Sequence, residues 1–396
     1  MSAMTNPETL QFLRLHANDD PSKLALQARK YTDVDMPFVI RQISGRKVAA
    51  EKVPSWADCE EILYPPHLSM EQCSSEATAR YKATLVEGET FVDLTGGFGI
   101  DCAFVSGKFN RAGYVERNPE LCQLAAHNFQ VLGLNQIETH NADAREHLEA
   151  MDKVDCIYID PARRDGHGGK TVAVADCEPN VAQLSPLLLQ KADRVMIKLS
   201  PMLDISLALE ALPDTAEVHI VSVGNECKEL LFILKNEKTT DVRVTCINLT
   251  KTGIQKFSFT KKEEQQSGCA YTQEVEKYLC EPNASLLKGG AYKIIAASFG
   301  LKKLHPNSHL YTSAERPDGF PGRVFVCESL FSLNKTELKQ GLNGILKANV
   351  SIRNFPLSVA DLRKRLKLSD GGDIYIFATT LADERKVLIR CQKESN

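Results

Sequence analysis

The chain has 396 residues, 43% hydrophobic and 25% charged, with a net charge of −3, an ordinary globular composition with room for two or three domains. No 18-residue apolar run occurs, and the start lacks the basic, apolar and small-residue segments of a secretory leader, so a cytoplasmic protein outside the membrane is expected. The charge is unevenly spread: from Glu281 onward there are 18 Lys and Arg against 11 Asp and Glu, a net +7 that leaves −10 for residues 1–280.

Residues 1–85 read as mostly helical, with PSKLALQARKY and PFVIRQISGRKVAAEKV as amphipathic segments. In SMEQCSSEATARYKATL, Ser74 or Ser75 can cap a helix that leads into the first strand. That strand, in TFVDLTGGFGID, runs into Asp93 and is followed by Gly96, Gly97 and Gly99. A tight turn there can bring backbone amides against a ligand. The spacing is not that of a dinucleotide turn, whose third glycine would fall at Cys102, and no Lys-Ser/Thr marks a phosphate loop. A carboxylate before the glycines suits a ligand bearing an ammonium group and repels pyrophosphate.

The second strand, RAGYVE, ends in Glu116, about 20 residues after the glycines, the spacing at which a carboxylate accepts from ribose hydroxyls. A helix from Pro119 to Leu132 and a strand QIETH follow, ending in Asn141, Ala142 and Asp143. The strand VDCIYID is nearly all apolar, as a buried parallel strand should be, and ends in Asp160-Pro161-Ala162-Arg163-Arg164. A helix from about Pro179 to Gln190 precedes the strand RVMIKLS, and EVHIVSV and ELLFILK flank the turn GNECK as a hairpin. Seven strands are thus expected, the last antiparallel.

Taken together these motifs resemble the class I S-adenosylmethionine-dependent methyltransferases, so an α/β, Rossmann-like fold is expected over residues 86–236. The resemblance implies cofactor contacts from Asp93, Thr95, Gly96, Gly97, Gly99, Glu116, Arg117, Asp143, Ala144 and Asp160, with Asp143 receiving the adenine amino group. It also implies that the helix before the first strand covers the cofactor, with Gln72 and Ser74 near its methionine end. A helix packed under the sheet is an equally open reading of that segment. DPARR resembles the fourth motif of base-modifying methyltransferases, although Ala162 and Arg163 replace a proline and an aromatic. Asp160, Pro161 and Arg163 are the expected catalytic residues, with Arg164 and Lys198 toward the substrate. A carbon acceptor, for which similar enzymes use a cysteine after the fifth strand, is disfavoured by Lys198-Leu199-Ser200-Pro201 at that place, with Cys177 and Cys227 nearby in sequence as the open alternative. His167, in the glycine-rich loop Asp165 to Thr171, is either a proton acceptor or simply exposed.

Beyond lie a β-rich connector over 237–280, with KKEEQQSG as an exposed tip, a ferredoxin-like piece over 281–323 and a THUMP-like α+β domain over 324–396. The THUMP resemblance implies RNA binding, as does the basic tail. Arg363, Lys364, Arg365 and Lys367 are then the leading phosphate contacts, followed by Lys302 and Lys303, unless this is only a solvated helix face. Twelve cysteines lie singly from Cys59 to Cys391 with no C-x-x-C, so structural thiols and no metal are expected. The expected activity is direct transfer of methyl from S-adenosylmethionine to a nitrogen of an RNA base, in tRNA or rRNA. A protein or small-molecule acceptor, and a non-catalytic cofactor-binding module, remain as alternatives. The sequence sets no oligomeric state.

Overall fold

Helices open the chain because prolines in their first turns follow side chains that cap them. Helices α1 (Pro7–Leu15), α2 (Pro21–Gln27) and α3 (Met36–Lys52) are capped by Asn6, Asp20 and Asp35, which accept from the backbone N–H of Thr9, Ser22 and Phe38. Phe12, Leu24, Met36, Val39 and Ile43 bury one another between them. The side-chain amide of Asn128 then clamps this region, accepting from Leu63 N–H and donating to Leu63 C=O, each at 2.9 Å. A Cβ at Gly45 would lie 2.3 Å from Tyr64 Cβ, so only glycine lets α3 approach there. After a short helix, His67–Gln72, comes α4 (Glu76–Ala83), capped by Ser75, whose Oγ accepts from Thr78 N–H at 3.2 Å.

The computed structural model describes residues 6–163, 173–237 and 240–393, and the chain divides into one compact unit of 1–216 with 230–239 and another of 217–229 with 240–396. In the first, strands β1 (Thr90–Asp93), β2 (Arg111–Val115), β3 (Ile137–His140), β4 (Val154–Ile159) and β5 (Ala192–Leu199) are parallel, in the order β3-β2-β1-β4-β5. Helices α5 (Ile100–Ser106), α6 (Pro119–Val131), α7 (Ala144–Ala150) and α8 (Val181–Lys191) connect them. The short helix α9 (Ile205–Ala211) follows β5, and β6 (Thr215–Val223) begins in this unit. Of β7 (Glu226–Lys235), residues 230–235 return to pair antiparallel with β5, Leu199 opposite Leu230. The order reverses on either side of β1, so the carboxyl ends of β1 and β4 open where such sheets bind ligands.

In the second unit, β6 from Glu217 on pairs parallel with β8 (Arg243–Thr250), which pairs antiparallel with β9 (Gly253–Thr260). Gly224 and Asn225, at φ 57° and 70°, make the two-residue turn between β6 and β7. The segment KKEEQQ, expected as an exposed tip, is a helix over Lys261–Gln266, because Thr260 and Glu263 form a reciprocal capping box. A second sheet contains β10 (Tyr278–Pro282), β11 (Tyr311–Ser313), β12 (Gly322–Phe331), β13 (Asn349–Arg353), β14 (Ile374–Thr380) and β15 (Lys386–Lys393). Its order is β11-β10-β12-β15-β14-β13, extended beyond β11 by the short pairs 302–303 and 270–271. One apolar cluster gathers Leu279, Leu304, Phe325, Phe377 and Ile389. Another gathers Phe331, Val350, Leu362, Leu366 and Leu388, with α10 (Val359–Leu366) contributing its two leucines.

Candidate active site

Asp93 ends β1 fully buried. Its Oδ1 accepts from Thr95 N–H at 3.0 Å, while its Oδ2 is buried with no partner among the described residues. Burial pushes its carboxyl well above the ordinary range, helped by the charges of Asp101, Asp160 and Glu116 and opposed by the Thr95 N–H. The turn that follows is shaped by close approach. A Cβ on Gly96 would lie 2.1 Å from the Tyr114 ring, and Gly99, at φ 89°, faces Phe129. Gly97 differs: at φ 53°, a Cβ there would meet nothing nearer than Thr95 O at 3.9 Å, so this stretch of backbone borders open space.

Glu116, at the end of β2, holds the turn from beside it, accepting from Gly97 N–H at 2.9 Å and Asn118 N–H at 2.8 Å. Tyr114 donates to Gly97 O, and Asn141 donates to the carbonyls of Glu116 and Arg117. Asp143 is exposed and caps α7, its Oδ1 accepting from Arg145 and Glu146 N–H, with Ala144 the first helical residue. Arg117 is exposed, 3.4 Å from Glu178. These side chains therefore frame the rim, whereas Asp93 lies at the floor.

β4 delivers the second half. Asp160 N–H donates to Thr95 Oγ1 at 2.6 Å, tying the fourth motif to the first. Its Oδ2 forms an ion pair with Lys198 Nζ from the end of β5. Lys198, expected to face substrate, is thus the partner of the expected catalytic carboxylate. Pro161 is buried. Ala162 and Arg163 pair with Cys177 and Glu178 in a two-strand ladder. Arg164 and the loop bearing His167 lie outside the described residues.

Beneath these lies a buried network for which the sequence offered little signal. Lys82, wholly buried in α4, donates to Asp101 Oδ1 and to Ser74 Oγ, both at 2.8 Å. Ser74 Oγ and Tyr158 Oη each donate to Asp101 Oδ2 at 2.7 Å. Burial alone would raise the Asp101 carboxyl, but Lys82 and, next, Lys198 hold it below its usual value. Ser74 therefore reaches the floor of the site, while Gln72 is exposed at the end of its helix. Asp101 directly after the glycine turn was a visible acid. Lys82, two residues from exposed Arg80, carries no signal of its burial in the sequence.

The site thus brings together Asp93, Asp101 and Asp160, and among the described residues lysines bond to Asp101 and Asp160. An orphaned, buried acceptor oxygen beside a glycine turn that borders open space fits S-adenosylmethionine, whose ammonium group would supply the cation that Asp93 lacks. When bound, that cofactor supplies a methyl group activated on a sulfonium.

In the second unit the basic residues differ in availability. Lys364, Arg365 and Lys367 on and after α10 are exposed, while Arg363 is half-buried and ion-paired with Asp370. Lys302 is bound to Glu276 at 2.6 Å. Lys303 corrects the expectation of a phosphate contact. It is 2% exposed, donates to Pro306 O and lies over the Tyr292 ring, and burial depresses its pKa.

A family model described as a ferredoxin-like domain matches residues 278–321, and one described as THUMP domain-like matches 322–393. The chain is 36% identical to a candidate methyltransferase of known crystal structure from Porphyromonas gingivalis, with a TM-score of 0.89 over 99% of this chain and 100% of that one. It is also 23% identical over 366 residues, 87% of this chain and 93% of theirs, to uncharacterized S-adenosylmethionine-dependent methyltransferases from two strains of Mycobacterium tuberculosis.

Proposed function

Because the chain belongs to the class I S-adenosylmethionine-dependent methyltransferases with a C-terminal THUMP-like domain, we propose that it methylates a nitrogen of an RNA base, in tRNA or rRNA. The observation that carries the proposed cofactor site is the Oδ2 of buried Asp93, near Gly97, which has no partner among the described residues. Asp93 would hold the ammonium end, Glu116 the ribose and Asp143 the adenine edge, with the Gly96–Gly99 turn bringing backbone close. Asp160, fixed through its backbone by Thr95 and through its carboxylate by Lys198, would accept the acceptor's proton during in-line transfer. The RNA partner is supported by the THUMP domain-like match and by the exposed Lys364, Arg365 and Lys367.

The test is transfer of labelled methyl from S-adenosylmethionine to total RNA, protein and small metabolites from cells lacking this protein, with Asp160→Ala alongside. Label in RNA that disappears in the variant is expected. Label confined to protein or metabolites would overturn the RNA reading, and full transfer by the variant would remove Asp160 from the chemistry.

A further inference from the structure

Asp160 and Lys198 stand at the ends of paired strands, Ile159 opposite Ile197, with their side chains in contact. The place expected for the acceptor thus presents a carboxylate and an ammonium together. Below them, Tyr158, Asp101, Ser74 and Lys82 form a buried hydrogen-bonded network, so the residues on which the pair rests are held in place. Lys198 acts here through its charge, held against the Asp160 carboxylate.

The nitrogens of RNA bases respond differently to such a pair. The amino nitrogens of adenine and cytosine are conjugated with a neighbouring ring nitrogen, so a cation beside that ring nitrogen withdraws the electrons that must attack the methyl group. A ring nitrogen with a bare lone pair is repelled by the carboxylate and blocked by the cation. A lactam N–H beside a carbonyl, found in guanine and uracil, gains from both groups. Its proton can pass to the carboxylate, and the negative charge then shared with the carbonyl oxygen is stabilised by the ammonium.

On the proposed reading as an RNA base methyltransferase, we infer that the acceptor is the lactam nitrogen of guanine or uracil, recognised as N–H beside C=O by the paired Asp160 and Lys198. The N–H proton goes to the Asp160 carboxylate, and the nitrogen electron pair forms the new N–CH3 bond. The S–CH3 bond breaks with its electrons left on sulfur, so the sulfonium charge is neutralised. Lys198 is the specificity-determining residue, since without its charge the lactam loses its advantage over an amino group.

The test has two arms. In the first, total RNA methylated by the wild-type protein is digested to nucleosides and the methyl position determined by mass spectrometry. Methyl on guanosine N1 or uridine N3 is expected. Methyl on an amino nitrogen, a carbon or a ribose hydroxyl would overturn the inference while leaving methylation of RNA standing. Label in protein or metabolites alone would instead overturn the reading on which it rests.

The second arm needs no turnover. Pentanucleotides centred on guanosine or uridine compete with those centred on adenosine or cytidine for the full chain. The wild type should favour the former by about fivefold or more. Lys198→Arg should keep the preference, and Lys198→Met should abolish it. Equal binding of all four by the wild type, or an undiminished preference in Lys198→Met, would overturn the assignment.

Discussion

Among the described residues no lysine answers the Asp93 carboxylate, whereas Asp101 binds Lys82 and Asp160 binds Lys198. Its proton is held more tightly in the folded protein than in the unfolded chain. The stability it contributes is therefore complete below the ordinary carboxylate range and is lost as pH rises through the raised pKa. In the cofactor-free protein at neutral pH this side chain is a cost, offset when an ammonium group arrives. Asp93→Asn, which keeps the shape and removes the charge, should raise the neutral-pH stability of the apoprotein by about 1–3 kcal/mol. The gain should shrink as pH falls toward the ordinary carboxylate range. Urea unfolding at several pH values checks this, and a variant less stable than wild type at pH 7 would show that Asp93 is not held at a cost.

At the scale of elements, α4 joins the N-terminal helical region to Asp101 and Ser74. Ser75 caps it, and Lys82 on its inner face reaches Asp101 in α5 and Ser74 just outside the cap. Removing one partner of a buried ion pair strands the other, so Lys82→Met should cost about 3–5 kcal/mol. Lys82→Met with Asp101→Leu should recover part of that loss. Chemical denaturation measures both, and a single variant within about 1 kcal/mol of wild type would contradict a structural role for the pair. The cap was legible as a serine before a helical run, and so were the parallel strands, whose apolar runs end in acids. Burial of Lys82 was not legible, because a lysine next to an arginine reads the same whether its partner is water or an aspartate distant in sequence. The run NKTELKQGLNGILKA reads as one helix from its pattern, yet the helix stops at Gly341, because Gly341 packs on Phe331, where a Cβ would lie 2.5 Å from the ring, and Gly344 takes φ 77°. Those constraints come from tertiary structure, which local pattern does not carry.

At the scale of the molecule, an acidic front part carries the cofactor site and a basic tail carries the ferredoxin-like and THUMP-like segments. The tail's net charge was legible by counting, but which of its cations remain available was not. Lys303 is buried against tyrosine rings and Arg363 is paired with Asp370, while Lys364, Arg365 and Lys367, on and after α10, are exposed. Reversing the charge of these three should weaken RNA binding and lower its salt slope by about 0.7–0.9 for each phosphate no longer neutralised. Fluorescence anisotropy across a salt series reads this, and an unchanged slope would remove α10 from the RNA interface. The proposed methyl transfer depends on the cofactor site proposed around Asp93. The decisive measurement is therefore titration calorimetry of S-adenosylmethionine into the wild-type protein, Asp93→Ala and Glu116→Ala at neutral pH. Saturable binding to the wild type, weakened at least about tenfold in each variant, is the predicted result. Equal affinity in all three proteins would contradict the account, because the cofactor would then be held somewhere other than the turn between β1 and α5.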